Sequence, residues 1–183
     1  MQFLILIPTL LLMLSIKEPI EIVQFHKDYT FEDWYIVNDG VMGGVSRSNL
    51  SLNEEGNALF EGSVSLDYNG GFASCRMRIK DVDMTGARAL SIRLMGDGQK
   101  YKMRLRMSNR FDGVAYSTTF ETEKGKWMEV ELPLESFTPQ FRGYYVPSAP
   151  DLEASKIGQL GIMIADKQEG PFSLEIQSIS ALF

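Results

Sequence analysis

Covalent and acid–base chemistry at neutral pH runs through titrating or nucleophilic side chains, and this sequence holds one histidine, His26, and one cysteine, Cys75. One cysteine closes no intramolecular disulfide, and the pair cannot supply a Cys/His zinc set. A Ser-His-Asp arrangement would have to use His26, at the edge of the folded region. A Cys-His pair would have to use Cys75, in the middle of an alternating, strand-like run. Paired carboxylates are the remaining option. Glu129 and Glu131 point the same way along one strand and could do acid–base work, but a row of exposed acids explains them equally. The expectation is a non-enzymatic chain with no catalytic residue, no cofactor and no metal site.

Arginine is better supplied. The formal net charge of −6 argues against nucleic acid as the default partner, but the charge is segregated. From Arg76 to Arg106 there are nine Lys or Arg against three Asp, while the stretches before and after are acidic. Arg76, Arg78 and Lys80 share one face of a strand, Arg93 the polar face of another, and Lys102, Arg104 and Arg106 that of a third. If these strands pair, the guanidinium forks form a cationic face suited to carboxylates, phosphates and vicinal hydroxyls. The alternative is cross-strand pairing with Glu121, Glu123, Glu129 and Glu131. Trp34, Tyr116, Phe141, Tyr144 and Tyr145 are candidates to stack on a sugar or anchor a protein, with burial in the core the competing reading and the favoured one for Trp34 and Trp127.

The elements that must position these groups are strands. Period-two alternation runs through Phe60, Val64 and Leu66, then Cys75, Met77 and Ile79, Leu90 to Leu94, Tyr101 to Met107, Met128 to Leu132, Leu160 to Ile164 and Phe172 to Ile179. Turn signals such as Asn69-Gly70-Gly71, Gly96-Asp97-Gly98 and Lys124-Gly125 fall between the runs. About eight strands with turns every ten to fifteen residues predict an all-β, antiparallel sandwich or barrel. The Pro-containing stretch 138–156 reads as a long ordered loop. Residues 1–27 read as a hydrophobic leader and linker and 28–183 as one domain. The apolar run 3–14 is too short to span a bilayer as a helix. It has the length of a signal-peptide core without preceding basic residues, so the expectation is export to the cell envelope or a membrane tether.

Five ordered blocks carry a resemblance. They are Trp34 with Asn38-Asp39-Gly40-Val41-Met42-Gly43-Gly44-Val45-Ser46, then Phe60 and Gly62 with 69–74, then 96–106, then Trp127, Val130 and Pro133 with 137–143, and last 170–176. In this the chain resembles the complex I intermediate-associated protein family. The resemblance implies a galactose-binding-like jelly roll and a non-enzymatic, chaperone-like role on a protein client such as subunits of respiratory NADH:ubiquinone oxidoreductase. It also implies two alternatives: carbohydrate binding, because carbohydrate-binding modules share the fold, and RNA binding through the basic strands. The candidate contacts are Asn38, Asp39, Met42, Gly43, Gly44, Ser46, Asn69, Arg78, Arg104, Arg106, Tyr116 and Arg142.

Overall fold

A computed structural model describes residues 17–108, 110 and 112–183. The expected leader at 3–14 lies outside the described residues. Thirteen strands follow along the chain: β1 (Ile20–Gln24), β2 (Trp34–Ile36), β3 (Arg47–Leu52), β4 (Ala58–Val64), β5 (Ala73–Arg78), β6 (Ala89–Met95), β7 (Lys100–Arg106), β8 (Ala115–Glu121), β9 (Trp127–Pro133), β10 (Thr138–Phe141), β11 (Tyr144–Tyr145), β12 (Gln159–Ile164) and β13 (Gly170–Leu182). They form two antiparallel sheets. One has six strands in the order β3-β4-β13-β6-β9, with β1 also on β13; the other has seven, in the order β11-β10-β8-β7-β12-β5-β2.

The alternation that predicts strands also builds the core. Phe60, Ile92, Leu94, Leu174 and Ile176 point inward from the six-stranded sheet, and Cys75, Tyr101, Met103, Leu105, Leu160, Ile162 and Ile164 from the seven-stranded one; all are fully buried. Each such side chain stabilises the fold by about 1.5–3 kcal/mol relative to exposure. Strand β13 is the spine of its sheet. Its first half pairs β4, its second half pairs β1, and β6 runs along its other side with a register shift between Ile176 and Ser178.

Three expectations change. The domain begins before residue 28, because β1 joins β13 and buries Val23 and Phe25 in the core. The stretch 138–156 is not all loop: β10 pairs β8, and β10 and β11 form a short hairpin. Trp127 is 37% exposed, with the Arg93 guanidinium 5.7 Å from its ring centre, rather than in the core.

Deleting residues 1–27 should therefore destabilise the domain by about 3 kcal/mol or more, from the lost burial of Val23 and Phe25. Chemical denaturation checks this, and an unchanged midpoint would show that β1 is dispensable.

Candidate functional site

Register on the seven-stranded sheet decides which polar side chains meet. Strand β12 lies between β5 and β7, so Gly161 is opposite both Arg76 and Arg104, and Gln159 opposite both Arg78 and Arg106. These residues share the outer face, since Leu160 and Ile162 fill the core. Gly161 has no room for a side chain, because a Cβ there would sit 2.8 Å from the Cys75 carbonyl oxygen. The glycine keeps a low floor between two arginines from different strands.

That floor belongs to a cleft of about 550 Å³ lined by Arg76, Lys102, Arg104, Arg106 and Arg142 against two acids, Asp112 and Asp166. Both acids are engaged at the edges: Lys102 pairs with Asp166 at 2.7 Å and Arg142 with Asp112 at 3.1 Å. Among the described residues no carboxylate lies within ion-pair distance of Arg104 or Arg106. The Arg104 Nη1 donates to the Met163 sulfur at 3.8 Å, a weak acceptor. Arg106 is 4% exposed and its Nε has no hydrogen-bond partner. Burial first, then the charge of Arg76, pushes Arg104 down to about 10. Burial, then Arg76 and Arg104, pushes Arg106 down to about 9, so both stay charged at neutral pH. Arg76 is buried, with its guanidinium 5.6 Å from the Tyr35 ring centre.

Gln159 closes one end of the floor. It is fully buried, accepts from the Tyr35 hydroxyl at 2.9 Å and donates to the Ser108 and Arg110 carbonyls at 2.6 and 3.2 Å. These bonds tie Ser108 and Arg110, beyond the end of β7, to β12.

One wall is the loop after β2, held by Asp39. The fully buried Asp39 carboxylate accepts backbone N–H bonds from Ser46 at 3.0 Å, Gly71 at 2.7 Å and Phe72 at 3.3 Å, and a short bond from the Ser46 hydroxyl. Burial raises the carboxyl, but these four donors outweigh it and hold it below its usual range. A side chain at Gly44 would run into the Asp39 carboxyl, and Gly43 takes the left-handed φ of 94° that ends the turn 39–42. Asn38 Oδ1 accepts from Ser48 Oγ at 2.8 Å and the Ser74 N–H at 3.2 Å. The polar groups of this motif are committed to backbone N–H groups and to serine hydroxyls of the fold. Their consequence is to hold Val41 and Met42 out at the cleft, 68% and 57% exposed.

A family model described as complex I intermediate-associated protein 30 matches residues 23–176, from β1 into β13. The chain belongs to that family. It is 26% identical over 176 residues to the mouse protein named complex I intermediate-associated protein 30, mitochondrial, covering 85% of this chain and 54% of the mouse one. The chain thus spans about half the length of that relative. It is 30% identical over 171 residues to an uncharacterised protein of Schizosaccharomyces pombe, covering 82% of this chain and 78% of that one. Among solved structures it is similar to a family 11 carbohydrate-binding module from Clostridium thermocellum in complex with a β-1,3-1,4-mixed-linked tetrasaccharide. The TM-score is 0.63 at 15% identity, over 87% of this chain and 94% of that one. It is also similar to a family 29 module, with a TM-score of 0.55 at 11% identity, over 90% and 91% of the two chains. These likenesses show the jelly-roll fold.

The family member's cleft unites some of the candidate residues and excludes others. Met42, Arg104, Arg106 and Arg142 line it, with Gly43 and Gly44 shaping its wall. Asn69 is exposed on the turn 67–69 with φ 61°, a conformation asparagine tolerates. Arg78 is exposed at the end of β5. Tyr116 is a correction: it is 3% exposed on the core side, opposite Leu105, and donates to the Pro150 carbonyl at 2.5 Å. Arg93 lies on the other sheet, opposite Glu129, and Lys80 pairs with Asp33 at 2.5 Å, so neither joins the cationic face. Of the residues with other expected chemistry, Cys75 is fully buried with its thiol pushed up to about 12 by burial, Glu129 accepts from Ser91 at 2.9 Å, and Glu131 pairs with Arg88 at 2.7 Å. Gln159 and Gly161 escaped sequence reasoning, because only the ladder shows what they separate.

Because its folded pKa is depressed, Asp39 contributes stability above its ordinary value of 3.8 that is lost as pH falls through the folded value. Asp39→Asn should cost about 2–4 kcal/mol at pH 7, with the difference from wild type shrinking below about pH 4. Denaturant titrations across pH check both statements; a difference independent of pH would remove the carboxylate's charge from the account.

Proposed function

We propose that the chain is a non-enzymatic binding module that holds protein subunits of respiratory complex I during assembly. The observation that carries this reading is the cleft's rim. Val41 and Met42 stand out on one side, and Tyr144 and Tyr145, 79% and 65% exposed, follow the cleft-lining residues Arg142 and Gly143 on the other. Large apolar side chains grouped in water around one concavity serve protein contact. The names of the family and of the mouse relative supply the kind of client. A buried, high-pKa thiol and carboxylates committed to structural partners support a role without catalysis.

The jelly roll also allows a saccharide reading, but the described lining of the cleft contains no tryptophan or tyrosine on which a sugar ring would stack.

The test is affinity purification of the tagged full-length chain from its own cells, beside a Met42→Asp, Tyr144→Asp variant shown to be folded. Complex I subunits should accompany the wild type and fall at least about tenfold in the variant. Equal recovery by the variant, or saturable binding on a glycan array with no subunit recovered, would contradict the reading.

A further inference from the structure

We propose that the arginine floor of the cleft is a receptor for the phosphate group of a small molecule. The inference goes beyond the protein-partner reading and does not depend on it, since the rim and the floor use different residues.

The first argument is charge. The cleft gathers five basic side chains against two acids, in a chain whose net charge is −6. Those two acids are taken by Lys102 and Arg142. What is left is Arg104 and Arg106, two residues apart on one strand, with Arg76 across Gly161 adding its field to both. Asp112 lends Arg106 part of a counter-charge without an ion pair to it, and a buried cation short of counter-charge is costly; the cost falls when a ligand brings the missing charge. A dianion matches two arginines where a single carboxylate leaves one uncompensated.

The second argument is unmet hydrogen bonding. Buried polar atoms in folded proteins almost always have partners. Here Arg106 Nε has none, on a side chain 4% exposed. Ser117 Oγ has none either, on a residue 5% exposed on the same outer face and directly opposite Arg104. The Arg104 and Arg106 side chains line the cleft, while Ser117 is not among the lining residues, and guanidinium donors suit an oxyanion with several acceptor oxygens.

The third argument is size. A volume of about 550 Å³ is that of a small-molecule site. Ion pairs stand at its edges, and a space of this size suits a phosphate on a compact molecule better than a broad macromolecular surface.

The experiment is thermal unfolding and calorimetry of the full chain with sodium pyrophosphate as probe, against sodium chloride at equal ionic strength. Saturating pyrophosphate should raise Tm by about 5 °C or more over chloride. Arg104→Gln and Arg106→Gln should each weaken binding at least about tenfold. Each should also unfold at or above the wild-type temperature in chloride, because it relieves an uncompensated positive charge. Arg93→Gln, on the other sheet, should bind like wild type. No rise over chloride in the wild type overturns the proposal. So does a rise that the Arg104 and Arg106 variants retain, which would place the anion elsewhere. If the glutamine variants do not fold, Arg104→Lys and Arg106→Lys decide: weaker binding with the charge kept supports recognition by the guanidinium fork, and unchanged binding overturns it. Tighter binding of hexaglutamate than of pyrophosphate would identify an acidic peptide as the ligand and also overturn it. A Tyr144→Ser, Tyr145→Ser variant, changed at rim residues outside the cleft's lining, should keep the pyrophosphate response, so failure of the protein-partner reading and failure of this one are told apart.

Discussion

The ladder that inserts β12 between β5 and β7 constrains all that the outer face of the seven-stranded sheet can do. Two arginines on adjacent strands would repel and swing into water. With a strand between them, Arg76 and Arg104 stand about two strand spacings apart, roughly 10 Å, on either side of a glycine. Gly161 cannot carry a side chain without striking β5, so the space between the guanidinium groups stays open. Gln159, one step along the same strand, then ties the loop after β7 over the end of the face. Cationic floor and closed end both follow from one strand's register.

The second constraint is the Asp39 carboxylate. It gathers donors from Ser46, Gly71 and Phe72, which are far apart in sequence, onto one buried charge. The distinctive run of residues 38–46 is best understood through it. Gly44 leaves room for the carboxylate, Ser46 donates twice, and Gly43 turns the chain so that Val41 and Met42 reach the rim. The motif builds the wall of a site and leaves the contacts to its exposed neighbours.

Much of the fold was legible because alternation is local: each long strand with a clean inward set, such as Leu90, Ile92 and Leu94, was readable from its own residues. Four stretches that escaped, 20–24, 34–36, 47–52 and 138–145, are short or at sheet edges, and part of their order comes from partners distant in sequence; 115–121 escaped although it is long and interior, because Ser117, Thr118 and Thr119 blur its alternation. The site was legible in half. Outward arginines on β5 and β7 follow from parity, but which strands share a sheet is non-local information. Arg93 had the same local pattern as Arg104, yet β6 pairs with β13 and β9 and puts it on the opposite surface. Tyr116 was misread although Phe120, four residues on and of the same parity, marks its side of β8 as the core side.

The central claim is that binding uses the outer face of the seven-stranded sheet. Its most direct test is backbone amide chemical-shift mapping of the full chain by NMR during a pyrophosphate titration. The account predicts shifts concentrated on β5, β7 and β12, centred on Arg104, Arg106 and Gly161. A second, more open groove on the six-stranded sheet is lined by Arg47, Glu61, Asp97 and Lys124. Shifts concentrated there, with β7 and β12 unmoved, would contradict the account.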